Sequence, residues 1–327
     1  MIISRTPVRM SFVGGGTDWT PYYRKYGGAV VSTTINKYIY ITVNKKFDKK
    51  ILLNYSKTEE VENVSDIQHP LIRECIKFIG LDGGLFICSI ADIPSRGTGL
   101  ASSSSFTVGL LHALYAYSGK YVSAEVLASE ACTIEIEKCG EPVGKQDQYA
   151  AAYGGLNFIE FRKDDSVVVS PIILNQNALR EFESNCIVFY TGISRSASEV
   201  LKTQQTELKM YPSKSMVLND IKDMAYAFRD CLQDGRLNDA ANILNESWQL
   251  KRALSSTVSN SDIDGWYKTA MSCGALGGKL LGAGGGGFML FYAPRERHTE
   301  IESALPELRR VDVSFVKHGS QIIFVHD

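Results

Sequence analysis

An α+β protein of two lobes is what this sequence predicts, and three observations carry the prediction. The opening third strings together β-branched and aromatic runs broken by Gly, Asn and Asp, as strands are. From about Cys186 helical periodicity takes over. A length of 327 residues allows two units that each bury a core. The junction is placed at 180/181, giving a first unit 1–180 and a second unit 181–327.

In chain order, strands are predicted at Ile2–Ser4, Arg9–Val13, Ala29–Thr34, Tyr38–Val43, Ile51–Tyr55 and Leu85–Ile90. After Pro94 a Gly/Ser-rich turn leads into a helix over Phe106–Tyr117, with Phe106, Leu110, Leu111 and Leu114 on one face and Gly119 closing it. A second helix follows the N-cap Ser123, carries Val126, Leu127, Ala131 and Ile134 as its apolar stripe, and stops at Gly140 and Pro142. Strands at Leu156–Phe161 and Val167–Val169 complete the first unit. The second has a strand at Ile187–Tyr190, helices near 197–209, 214–232, 237–254 and 262–272, and a strand at Phe288–Tyr292. A short helix near 297–304 and strands at Val311–Val316 and Gln321–Val325, around His318-Gly319, end it.

Composition narrows the function classes. With 35 basic and 36 acidic side chains the net charge is −1, so the overall field gives no reason to expect nucleic acid or an anionic membrane as partner. Anions must be held by local sites. Seven scattered cysteines with no C-x-x-C pair speak against a disulfide framework or a zinc site, and fit reduced thiols in a cytoplasm. Arg5 and Arg9 interrupt the apolar run a signal peptide would need, and no stretch approaches membrane-spanning length, so a cytoplasmic location is expected.

Four segments carry the chemistry. Pro94-Ser95-Arg96-Gly97-Thr98-Gly99-Leu100-Ala101-Ser102-Ser103-Ser104-Ser105 lies between a strand and a helix, where glycine amides, the helix N-terminus and serine hydroxyls can hold phosphate and Mg²⁺. The plain alternative is an N-capping turn. The near miss to a dinucleotide fingerprint, Gly97-x-Gly99-x-x-Ser102, lacks the second parallel strand that fold requires. A Walker P-loop is missing too, because Leu280 follows Gly278-Lys279. Gly282 to Gly287 holds five glycines in six residues between apolar runs, which suggests close approach to a ligand or another loop. Gly140-Glu141-Pro142-Val143-Gly144-Lys145-Gln146-Asp147-Gln148 could fix Asp147 as a general base, with a carboxylate of the preceding helix on Mg²⁺; alternatively Asp147 is a cap or turn residue. In Thr6 to Asp18 a strand ends in Gly14-Gly15-Gly16-Thr17-Asp18, where Asp18 could accept bonds from vicinal sugar hydroxyls and Arg9 needs an anionic partner; the alternative is a hairpin turn with a surface ion pair.

In this order and spacing the four segments resemble the GHMP kinases, the superfamily of galactokinase, homoserine kinase, mevalonate kinase and phosphomevalonate kinase, over nearly the whole chain. Pro94 to Ser105 resembles the P-x-x-x-G-L-x-S-S-A phosphate loop, with Ala101 where Gly is usual and Ser104 where Ala is usual. The resemblance implies a first lobe like ribosomal protein S5, a second α+β lobe, and an active site between them. It implies ATP and Mg²⁺ as cofactors, with Pro94, Arg96, Gly97, Thr98, Gly99, Leu100, Ala101, Ser102, Ser103 and Ser104 around the nucleotide. Ser103 and Glu135 match the metal ligands, Asp147 the catalytic base, and Arg9 the cation beside it. Gly15, Gly16, Thr17 and Asp18 would hold the sugar.

Galactokinases carry Gly-Glu-His-Thr-Asp where this chain has Gly14 to Asp18, which argues against galactose. The triple glycine, with Tyr190 to Arg195 and Gly277 to Gly282, is similar to the D-glycero-D-manno-heptose 7-phosphate kinases and to fucokinase domains. The first of these phosphorylate O1 to give a 1,7-bisphosphate for nucleotide-activated heptose and cell-surface polysaccharide. A distal phosphate needs a cation, and Arg195 and Lys279 are the candidates, beside Gly284 and Gly285, with Arg24, Arg96 and Lys145 next in line. A monomer or homodimer is expected. The competing readings are a fucokinase- or galactokinase-like 1-kinase, a dinucleotide-dependent oxidoreductase, and a non-catalytic sugar sensor.

Overall fold

A computed structural model describes residues 1–94, 97–211 and 214–326, apart from the side chain of Lys209. The first lobe runs β1 (Ile2–Val13), α1 (Thr20–Tyr26), β2 (Gly28–Lys45), β3 (Ile51–Asn54), β4 (Thr58–Val61), α2 (Pro70–Ile79), β5 (Leu85–Ala91), α3 (Ser102–Tyr117), α4 (Ala124–Cys132), α5 (Gln146–Tyr153), β6 (Leu156–Phe161) and β7 (Val167–Pro171). Helix α6 (Gln176–Ser184) spans the 180/181 junction, and the second lobe runs β8 (Cys186–Tyr190), α7 (Ala197–Met210), α8 (Lys214–Gln233), α9 (Leu237–Leu254), α10 (Ser261–Ser272), β9 (Gly277–Leu280), β10 (Phe288–Tyr292), α11 (His298–Ala304) and β11 (Arg309–Arg310). Strands β12 (Phe315–Val316) and β13 (Gln321–Val325) follow.

Among the described residues nine strands form one sheet, with the path β13-β1-β2-β5-β3-β4, with β6 and β12 joined at β2 and β7 paired to β6. Only β3 and β5 pair in parallel within it. The sheet has no run of parallel strands for a dinucleotide fold to use. The second sheet is β11-β8-β10-β9. Four predicted strands proved to be two: Ile2–Val13 and Gly28–Lys45 continue through their polar stretches, because burial on the shared sheet outweighs the local break signals. The last two strands do not pair with each other. The β12 strand lies on β2 and β13 on β1, so the chain after residue 314 returns to the first sheet.

The side chains explain the layering. Helix α3 lies so close on β1 that a Cβ at Gly109 would stand 2.7 Å from Thr6 Oγ1, and Ser4 donates to the Gly109 carbonyl at 2.7 Å. At the lobe junction Phe12 of β1 packs with its ring centroid 5.1 Å from Phe182 of α6 and 5.7 Å from Phe228 of α8. Such a buried aromatic cluster fixes the end of β1, and with it the glycine turn that follows. No described helix is long and apolar enough to cross a membrane. All seven cysteines are free.

Candidate active site

The nucleotide side is built on the turn into α3. Gly97 and Gly99 have φ of 69° and 73°, and Ala101, the residue before the helix, is held left-handed at 64°. A non-glycine residue there is strained, and such strain collects where a loop must keep one shape for a ligand. The second glycine segment supplies the support. A Cβ at Gly99 would stand 2.2 Å from the Leu281 carbonyl, one at Gly282 2.4 Å from Gly99 Cα, and one at Gly287 2.3 Å from the Thr98 carbonyl. The two loops interlock backbone to backbone, which only glycine permits. Gly284 and Gly285 are spent on the turn at Val258, whose carbonyl accepts from Gly285 N at 3.0 Å.

Asp147 and Arg9 meet at the centre. Arg9, 4% exposed at its side chain, donates Nε to Asp147 Oδ1 at 2.9 Å, approaches the same oxygen with NH2 at 2.7 Å, and donates NH1 to the Gly99 carbonyl at 2.7 Å. One arginine thus ties Asp147 to the glycine turn before α3. Both bonds to Asp147 use Oδ1, and the side chain keeps 21% exposure. Asp147 lies in the first turn of α5, a helix absent from the sequence reading, where a carboxylate suits the N-terminal dipole.

Asp18 behaves differently. Its side chain is buried, with Oδ1 accepting Gly16 N at 3.1 Å and Oδ2 accepting Gln146 N at 3.2 Å. Burial, with Asp147 adding to it, raises its carboxyl above the usual range against these amide bonds. Gly144 is needed for this contact, since a Cβ there would stand 2.0 Å from Asp18 Oδ2. Asp18 is therefore first a pin between the two loops. Thr17 caps the turn, donating to the carbonyls of Gly14 and Ala29 at 2.8 and 3.0 Å.

Glu135 sits in a π-helical stretch, Thr133–Lys138, that extends α4. Such bulges often mark functional positions. Its carboxylate accepts Ser104 Oγ and Thr107 Oγ1, each at 2.7 Å, and also the Gln148 amide. Burial pushes its carboxyl up to about 7, against those three bonds. Ser104, not Ser103, touches Glu135, while Ser103 is exposed at the start of α3. The carboxylate and the two hydroxyls gathered here are hard oxygens, as Mg²⁺ requires, while the third partner is the Gln148 amide nitrogen.

Two predicted cations moved. Lys279 is 4% exposed and its Nζ donates to the Phe12 carbonyl at 2.8 Å; burial pulls its pKa far down. That ammonium is thus held on the end of β1. Arg195 has its backbone 2.8 Å from where a Gly97 Cβ would stand, and its Cδ 3.0 Å from that of Gly285, so it lies by the phosphate loop. Arg24 pairs with Asp165 at 2.9 Å, and Lys145 lies 5.1 Å over the Tyr23 ring. Pro94 precedes the phosphate loop, and Arg96 falls outside the described residues.

Sequence reasoning missed two contributors. Helix α7 straddles the cleft: Gln204 donates to the Ala283 carbonyl at 2.7 Å, Gln205 to the Pro142 carbonyl at 2.8 Å, and Ser198 to Glu141 at 2.7 Å. Lys251, in the last turn of α9, donates Nζ to the Gly282 carbonyl at 3.1 Å. In sequence it looks like an ordinary basic residue at a helix C-terminus, and its polar neighbours come from other parts of the chain.

Residues 70–155 match the GHMP kinases N terminal domain and residues 225–310 the GHMP kinases C terminal region. The chain is 33% identical to a D-glycero-alpha-D-manno-heptose 7-phosphate kinase of Campylobacter jejuni, over 97% of both sequences. It is a GHMP kinase. A galactokinase of Pyrococcus furiosus is 28% identical over 93% of this chain and 92% of its own. Among solved structures, a D-glycero-D-manno-heptose 1-phosphate kinase of Bacteroides thetaiotaomicron superposes with a TM-score of 0.82 at 26% identity, covering 100% of both chains. A Lactococcus lactis galactokinase complexed with galactose, at 17% identity over 98% of this chain and 94% of its own, shares the fold with a TM-score of 0.78. The kinase is thus an α+β protein of N- and C-terminal GHMP domains, a phosphotransferase with an alcohol acceptor that uses ATP.

Proposed function

We propose that this sugar kinase phosphorylates O1 of D-glycero-D-manno-heptose 7-phosphate, giving the 1,7-bisphosphate that nucleotide-activated heptose for cell-surface polysaccharide requires. The carrying observation is the 33% identity over 97% of the chain to the Campylobacter jejuni heptose 7-phosphate kinase, supported by Gly14-Gly15-Gly16 in the acceptor loop. Residues 1–180 form the ATP-binding unit and 181–327 the second unit, with the final strands returning to the first sheet.

The acceptor hydroxyl loses its proton to Asp147 Oδ2, and its oxygen forms a bond to the γ-phosphorus. The bond from that phosphorus to the β,γ-bridging oxygen breaks, and ADP leaves with the electron pair. Arg9 keeps Asp147 aimed and bonded to the phosphate loop, so the base and the nucleotide are placed by one side chain. Glu135 and Ser103 are the residues for Mg²⁺, with Ser104 the hydroxyl already on Glu135; the ion would neutralise charge on the β- and γ-phosphates. Gly15, Gly16 and Thr17 shape the acceptor side, and Asp18 holds that loop on the base. Arg195 serves the nucleotide phosphates, which leaves Arg24 and Lys145 for the distal phosphate. The protein works in the cytoplasm as a monomer or homodimer.

ADP release with heptose 7-phosphate, free heptose, fucose and galactose tests the substrate. A distal phosphate adds charge-assisted bonds worth about 1.5–3 kcal/mol each, so heptose 7-phosphate should lead in kcat/KM by at least about tenfold. Equal or better use of fucose or galactose would reject the heptose assignment.

A further inference from the structure

Lys251 and its neighbour Arg252 end the same helix and take opposite paths. Arg252 turns outward, donating to Asp264 at 2.5 Å and to Gln249 at 3.1 Å, as a basic residue at a helix C-terminus commonly does. Lys251 turns into the cleft. Its Nζ lies 3.1 Å from the Gly282 carbonyl and 3.3 Å from where a Cβ at Gly15 would stand. Gly282 is the glycine locked against Gly99 of the phosphate loop, and Gly15 belongs to the acceptor loop that Asp18 pins beside Asp147. The ammonium therefore stands where nucleotide loop, acceptor loop and base converge.

Its bonding is incomplete. An ammonium has three donors, and the Gly282 carbonyl takes one without supplying charge. No carboxylate among the described residues lies within ion-pair distance of Lys251, although Asp18 and Asp147 are near enough to act on it. Both Asp18 oxygens are committed to backbone amides, and Asp147 Oδ1 to Arg9. Arg9 faces the same carboxylate, Asp147, from the first lobe. With its one carbonyl partner neutral and both nearby carboxylates bonded elsewhere, the Lys251 ammonium is a charge that an entering anion would satisfy.

We propose that Lys251 is a catalytic cation of the second lobe that contacts the γ-phosphoryl group during its transfer. This rests on the kinase reading of the site. As the oxygen-to-phosphorus bond forms and the bridging bond breaks, charge shifts over the three non-bridging oxygens, and the two spare ammonium donors can follow it. Burial, opposed by Asp18, pulls Lys251 down to about 8, and the side chain is still mostly protonated at neutral pH. Gly15 completes the device, because any side chain there would crowd the ammonium.

The test is Lys251→Met and Lys251→Arg in the full chain, with binding of the transition-state mimic MgADP–aluminium fluoride as the main readout. Lys251→Met should weaken the mimic by about 10²-fold or more and lower kcat to match, while MgADP affinity and melting temperature stay at wild-type values. Lys251→Arg should recover about tenfold of that loss. A Met variant that binds the mimic like wild type overturns the proposal. So does equal loss of MgADP affinity, stability and kcat in both variants, which would make Lys251 only a tie between lobes. Because the mimic needs no sugar, this result stands apart from the acceptor: failure of every sugar phosphate to release ADP would reject the substrate reading alone.

Discussion

Two aspartate loops are bonded to each other through the Gln146 amide, and their carboxylates have opposite fates. In the loop of Gly14 to Asp18 both oxygens of the aspartate are taken by backbone amides, Gly16 N and Gln146 N. In the loop of Gly144 to Gln148 one oxygen of Asp147 is held by Arg9 and the other is left to the cleft. Residue type is the same, although the first loop holds three glycines and the second only Gly144. What separates the two is how many of their lone pairs the fold has already used.

Asp147→Asn is the largest break. Turnover should fall by roughly 10²–10⁴ with MgADP binding and melting temperature retained, as steady-state kinetics beside calorimetry would show. Gly144→Ala attacks the pin from the other side, since its methyl would meet Asp18 Oδ2 at 2.0 Å. Displacing the loop by even part of an ångström should cost about 10–10²-fold in kcat. Asp18→Ala should in addition lower the stability, by about 1–3 kcal/mol for each amide left without an acceptor, which calorimetry reads as a lower melting temperature.

A smaller effect separates the hydroxyls beside the buried carboxylate. Glu135→Gln should raise the Mg²⁺ concentration for half-maximal activity, and comparing Ser103→Ala with Ser104→Ala shows which serine shares that role. Unchanged magnesium dependence in all three would place the metal elsewhere. On the nucleotide side, Arg195→Ala should raise the KM for MgATP by about tenfold and leave the preference among sugars untouched. A changed sugar preference would return Arg195 to the acceptor.

The pH profile is the mildest probe. Lys251 carries its proton below about 8, so kcat should decline as pH rises through that value, and Lys251→Arg should carry the plateau higher. A profile of the Arg variant that matches wild type would assign the limb to another group.

Sequence alone determined what local chemistry can signal. The glycine and serine runs at Gly97 to Ser105 and Gly282 to Gly287, and the helical periodicity of α8 and α9, are contiguous, and their order along the chain carried the family. Position along the chain says nothing about which oxygens are already bonded. Tertiary structure alone decided that Asp18 is a pin, that Ser104 rather than Ser103 meets Glu135, and that Lys279 is sealed on the Phe12 carbonyl. It also brought Lys251 to Gly15 across 236 positions, a separation no local pattern spans. Glycines announce close approach but not the partner approached, and a lysine on a helix looks the same whether its ammonium meets water or a phosphoryl group. Those differences arise only when two lobes fold against each other and fix which polar atoms are left with unused bonds.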